Sequence, residues 1–188
     1  MNRLFDVLLG LLVTIFALAL LGYGYAWWTS SQNFSQRYDA PLMDITLSDD
    51  PAVIAEGERL AWTRGCFWCH GADLQGTVYY VAGHKGVRSI APNLTWKARD
   101  YTTAEFVRAL RHGIRPDGTS VQPAMPTFAY FHLSDRDLTA LVSYINSLPV
   151  VDGMKGDFSY YPYGNIRYAL GEFPPNAADL IDHSQPRV

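Results

Sequence analysis

From Val7 to Trp28 the chain runs for 22 residues without a charged side chain, and Thr14 is the one clearly polar group among them. In hydrocarbon every backbone N–H and C=O must be satisfied within the segment itself, so a lone stretch of this kind folds as a helix. At about 1.5 Å per residue it reaches roughly 30 Å, the thickness of a bilayer's apolar core. The run ends in Tyr23, Tyr25, Trp27 and Trp28, amphipathic rings that settle at headgroup level. A cleaved secretion signal, with Ala17-Leu18-Ala19 as its small-residue site, is the competing reading. The sequence stays apolar past Ala19 and the run is long for such a signal, so a retained anchor is expected. Arg3 precedes the run and Asp39, Asp44, Asp49 and Asp50 follow it. That asymmetry places the N-terminus inside and the rest of the chain on the periplasmic or outer side of a bacterial cytoplasmic membrane.

The remainder of the 188 residues suffices for one ordinary domain and a tail. A net charge of −3 provides no basic field for nucleic acid. Four segments are expected: an anchor over 1–28, a polar linker over 29–50, a domain over 51–149 and an extended tail over 150–188. Asp50-Pro51 opens a helix, since Asp caps free N–H groups and Pro suits the first helical position. Val53, Ile54, Gly57, Leu60 and Ala61 share one face of that helix. Residues 71–101, rich in Gly and lacking a helical stripe, read as a long loop wrapped around something. Thr102-Thr103-Ala104-Glu105 is a capping box, and Gly113 a terminator. Ser134 starts the last helix, whose stripe is Leu138, Leu141, Val142, Ile145 and Leu148, ending at Pro149. The tail is rich in Pro, Gly and Tyr and has no strong period. It either folds back on its own domain or is held by neighbouring subunits, and the second reading is preferred.

Chemistry is concentrated in Cys66-Phe67-Trp68-Cys69-His70. In a C-x-x-C-H segment two thiols add to the vinyl groups of a haem, and the adjacent imidazole lies beneath the iron. A thioredoxin-like pair would sit in a βαβ unit, whereas the flanks here are helix and Gly-rich loop. A structural zinc site would need further ligands, but no second Cys pair exists and a His-based completion is poorly spaced. One covalent haem c, held through Cys66 and Cys69 with His70 as a metal ligand, is therefore expected. For the opposite face of the iron Met125 is the candidate, in Pro123-Ala124-Met125-Pro126, where proline restricts the backbone. Its rivals are His84, His112 and His132. With His70 and Met125 both bound the iron has no open position, so electron transfer is expected and catalysis is not.

The stretch from about Asp50 to Pro149 resembles a class I cytochrome c domain: a helix leading into CFWCH, then APNLT at Ala91–Thr95, the PAMP loop and a final helix. The resemblance implies an all-α fold: one transmembrane helix, a cytochrome domain and the extended tail. It implies that the first and last helices cross, with Gly57 close to Tyr144, and that the Pro92 carbonyl accepts the ring N–H of His70. Arg88, Trp96 and Tyr101 are candidates for hydrogen bonds to the haem propionates. The pattern is similar to the cytochrome subunits of membrane-bound bacterial dehydrogenases and of quinol-oxidising complexes such as alternative complex III. The expected role is relay of single electrons in a respiratory or photosynthetic membrane complex. Its partners would be the other subunits, redox donor and acceptor proteins, and the lipid bilayer. A haem enzyme or gas sensor is the alternative from a different class. Only Lys85, Lys97 and Lys155 are present, too few for a lysine ring that captures acidic partners, so tethering takes over that task.

Overall fold

The computed structural model describes residues 3–82 and 86–184. Its first element, α1 (Arg3–Ser35), carries the apolar run and continues seven residues beyond Trp28, so part of the expected linker is helical. Nearly all of α1 is exposed; Ala26 and Ser30, one turn apart on one face, are buried. The remaining linker lies against the domain. Met43 and Ile45 pack on its main core, and Ala40 is buried with Ile114 and Ala178.

Helix α2 (Pro51–Thr63) starts where its capping residues dictate: the Asp50 side chain accepts the Ala52 N–H at 2.8 Å. It crosses α7 (Asp135–Ser147), which Ser134 caps through the Asp137 N–H. At the crossing a Cβ on Gly57 would meet the Ala140 carbonyl oxygen, and the Tyr144 Cβ at 2.6 Å. Absence of that carbon lets the two backbones touch. Around the contact Leu60, Ala61, Leu138, Leu141, Val142 and Ile145 are almost wholly buried, each large side chain contributing about 1.5–3 kcal/mol. Helix α5 (Thr103–His112) closes the core with Phe106, Val107 and Leu110 and carries the expected capping box of Thr102 and Glu105.

Residues 71–101 depart from the expected loop. They form strand β1 (Thr77–Ala82), strand β2 (Val87–Ala91) and helix α4 (Leu94–Asp100). The strands are rich in β-branched and aromatic residues, which favour a pleated surface, and α4 is nucleated by Asn93, whose side chain accepts the Thr95 and Trp96 N–H groups. Both elements are short, and flanking glycines hide their periods. The fold is mostly helical, as expected, with a small sheet added to it.

The tail supplies the third strand. Strand β3 (Asp157–Tyr160) pairs antiparallel with β2, giving the order β1-β2-β3. Helix α8 (Pro162–Ala169) then packs along α1, and a 3-10 turn (Ala177–Leu180) packs behind α6 (Thr127–Tyr130). Of the two expectations for the tail, the structure shows its packing on its own chain through residue 184. Sheet pairing satisfies its backbone, and Phe158, Tyr160, Tyr168 and Phe173 cluster by ring contact, with Phe34 of α1 against the first two.

Candidate functional site

Gly65 and Gly71, both with positive φ, bracket a short helix α3 (Cys66–His70). This turn brings Cys66, Cys69 and His70 to the wall of one cavity of about 470 Å³. The volume falls in the range of a small-molecule or cofactor pocket. Leu94, Phe106, Leu110, Tyr130 and Ile145 supply apolar walls from α4, α5, α6 and α7. Neither cysteine is in a disulfide; Cys66 is buried and Cys69 half-buried. Burial pushes the Cys66 thiol up to about 11 and raises that of Cys69 as well.

His70 is buried, and its Nδ1 lies 2.7 Å from the Pro92 carbonyl oxygen. A carbonyl only accepts, so Nδ1 carries the proton and Nε2 keeps its lone pair. Burial lowers the histidine's pKa while the Pro92 carbonyl pulls it upward; burial prevails, and the ring stays neutral. Pro92 itself lines the cavity.

Met125 reaches the same cavity from the loop before α6. Its N–H donates to the Gln122 carbonyl at 3.0 Å and its carbonyl accepts the Thr127 N–H at 2.8 Å, so the loop is pinned on both sides. Thr127 is fully buried, and its hydroxyl donates to the Ala177 carbonyl of the tail at 3.4 Å. Of the rivals to Met125, neither His112 nor His132 lines the cavity, and His84, like Lys85, lies outside the described residues. His112 instead faces His183, Nδ1 to Nδ1 at 3.1 Å.

Among the propionate candidates Tyr101 lines the cavity, and burial raises its phenol. Arg88 and Trp96 are not lining residues; Arg88 points outward to Asp157, 3.4 Å away. Among the described residues, the cationic side chains that do reach the cavity are Arg64, Lys97, Arg115 and Lys155. Lys97 sits over the Tyr101 ring at 4.9 Å, and burial lowers the Arg115 guanidinium. Arg115 was not singled out from the sequence, since a lone Arg in a turn-rich segment carries no local signal. Nor were Lys155, Gly156, Asp157 and Phe158, which give the tail a share of the wall.

An apolar cavity, two unpaired thiols on one helical turn, a neutral imidazole with a free lone pair and a thioether on a pinned loop form a donor set that fits a haem. The rim cations suit its carboxylates.

The family model that matches this chain is that of cytochrome c, over residues 54–149. The cytochrome c subunit of a quinone-dependent alcohol dehydrogenase from Gluconobacter oxydans is 38% identical over 150 residues, covering 72% of this chain and 30% of the relative. The cytochrome c subunit of a gluconate 2-dehydrogenase from Pantoea cypripedii is 32% identical over 157 residues, covering 72% and 34%. The cytochrome subunit of a fructose dehydrogenase from Gluconobacter japonicus is 38% identical over 101 residues, covering 49% and 20%. The chain thus spans between a fifth and about a third of the length of these relatives.

Proposed function

The chain belongs to the cytochrome c family, whose members carry covalent haem c, and from that premise we propose that it binds one haem through Cys66 and Cys69, ligates its iron with His70 and Met125, and relays single electrons within a membrane-bound redox complex. The observation that carries this reading is the His70–Pro92 hydrogen bond inside a cavity that Met125 also lines. Bound haem supplies a one-electron couple. The protein's own residues set the conditions around it. Pro92 fixes the tautomer of His70 and the plane of its ring, so Nε2 is aimed before any ligand arrives. The hydrogen bonds that pin Met125 hold the thioether against displacement. Walls of Leu94, Phe106, Leu110 and Ile145 exclude water, which favours the less charged, reduced state of the site. Tyr101, Arg115 and Lys97 offer donors to carboxylates at the rim.

The parent complex is read from the relatives' names, all three of which are cytochrome subunits of dehydrogenases. A membrane dehydrogenase delivering electrons toward quinone therefore gains support over a quinol-oxidising complex, although both employ the same relay. Helix α1, long and apolar enough to cross a bilayer, would hold the haem domain on the periplasmic side of the cytoplasmic membrane.

Haem content and ligation are tested together. The purified protein is expected to show one covalent haem per chain and a low-spin spectrum with the Met-to-iron band in the near infrared. Met125→Ala is expected to turn the haem high-spin and open it to carbon monoxide. A low-spin spectrum that survives the substitution would remove Met125 from the iron.

A further inference from the structure

Helix α8 is amphipathic in the reverse of the usual sense. Its inward face holds Gly164 and Asn165, both buried, and Tyr168, partly buried, while Tyr163, Ile166 and Leu170 at helical spacing face out with exposures of 54%, 40% and 69%. What covers this face is indicated by where α8 stands along α1. Asn165 accepts a hydrogen bond from the Ser30 hydroxyl at 2.7 Å and donates to the Tyr23 hydroxyl at 3.4 Å. Those two residues straddle the end of the apolar run, within the belt of Tyr25, Trp27 and Trp28. Ala26 is buried beside them, small enough to let α8 close on α1. With α1 spanning a bilayer, the outer face of α8 would stand at the level where headgroups meet acyl chains. Its one cation, Arg167, is bound to Glu172 at 2.6 Å, so attraction to the surface would be apolar rather than ionic.

We propose that α8 is a second membrane contact: an interfacial helix whose Tyr163 and Ile166, with Leu170 at its C-cap, insert into the headgroup boundary while α1 spans the bilayer. Amphipathic helices of this type bury their apolar face some 5–10 Å into that boundary. The proposal rests on the membrane-spanning reading of α1 and adds a consequence. Strand β3 leads directly into α8, and its Phe158 lines the cavity and touches Phe34 of α1 edge-on at 5.8 Å. Two contacts with the bilayer, joined through Phe34 and Phe158, fix the haem pocket's height and tilt above the lipid, where a single helix and a loose linker would let it swing.

The test uses the full holoprotein in vesicles of phosphatidylethanolamine and phosphatidylglycerol, with no other subunit. Single cysteines at exposed positions, Ile166→Cys, Leu170→Cys, Leu12→Cys and Glu58→Cys, each carry an environment-sensitive fluorophore. Quenching is compared between lipids bearing a nitroxide near the headgroup and at mid-chain, each normalised to nitroxide-free vesicles so that energy transfer to haem cancels. The expected result is strong quenching at 166 and 170 by the headgroup-proximal nitroxide, quenching at 12 by the mid-chain one, and none at 58. If 12 is quenched while 166 and 170 behave like 58, α8 stands in water and the proposal falls alone; a protein partner then becomes the occupant to seek. If 12 is not quenched either, the spanning reading of α1 falls with it.

Discussion

The crossing of α2 with α7 and the tail that runs from β3 through α8 are built on opposite principles. The first is an apolar contact: Leu138, Leu141 and Val142 are fully buried, Leu60 nearly so, and Gly57 lets the backbones meet. The second is held by polar groups and aromatic edges. Asn93 donates to the Val151 carbonyl at 2.7 Å, Asn176 is bonded to Asn33 and Tyr38, and Phe34 sits between Phe158 and Tyr160. Both regions reach the cavity, Ile145 from the crossing and Lys155 to Phe158 from the tail. The difference suggests a testable division of labour, in which the crossing would supply stability and the tail, on the proposal above, would set the pocket's place relative to α1.

The largest effect that would break this comparison is at Gly57. In an open helix, Gly→Ala stabilises by up to about 1 kcal/mol. Here Gly57→Val would push against the Ala140 carbonyl and the Tyr144 Cβ, and overpacking typically costs about 1–3 kcal/mol, reaching about 3 kcal/mol where the obstacle is backbone. A fall in Tm of roughly 6–12 °C is expected at 2–4 °C per kcal/mol. An unchanged melting curve would mean that the crossing does not govern stability.

A smaller and more local effect is expected at Asn93. Its fully buried side chain caps α4, accepts the Thr95 hydroxyl at 2.7 Å and ties down Val151. Asn93→Ala loses the cap and strands buried donors, at about 2 kcal/mol. Hydrogen exchange should quicken at residues 151–160, where the tail lies on the sheet, while α2 and α7 keep their protection. Acceleration spread evenly over both regions would erase the distinction between them.

The same contrast explains what the sequence disclosed. Elements that act through local chemistry were legible: the Asp50-Pro51 start, the Thr102 box and the stripe from Leu138 to Ile145; the C-x-x-C-H segment singled out in the sequence forms a turn on the cavity wall. The partners of Pro92 and Gly57 followed from the family resemblance, and the structure places both where that resemblance implies. The sheet was not legible, because β3 gains its strand form from pairing with β2 across a long separation, and four residues carry too little period to signal it. Arg115 and Lys155 reach the cavity only through tertiary placement, and Arg88 faces away for the same reason.

The smallest expected effect sharpens the local side of the comparison. Glu105 lies at the first turn of α5, where its carboxylate accepts the Thr102 N–H and hydroxyl, each at 2.9 Å. The backbone N–H, followed by the hydroxyl, lowers its pKa from the ordinary glutamate value. A carboxyl whose folded pKa is depressed adds stability above its unfolded value, near 4.3, and loses that contribution as pH falls through the folded one. Wild type should therefore exceed Glu105→Gln in stability at neutral pH, with the gap closing as the pH falls below the ordinary glutamate range in urea-unfolding series. The group is exposed, so the gap is small and shrinks further in salt. Tail protection should be the same in both proteins at every pH, since the box touches neither β3 nor α8. A gap that persists at low pH would assign the effect of Glu105 to packing and not to its charge at the helix start.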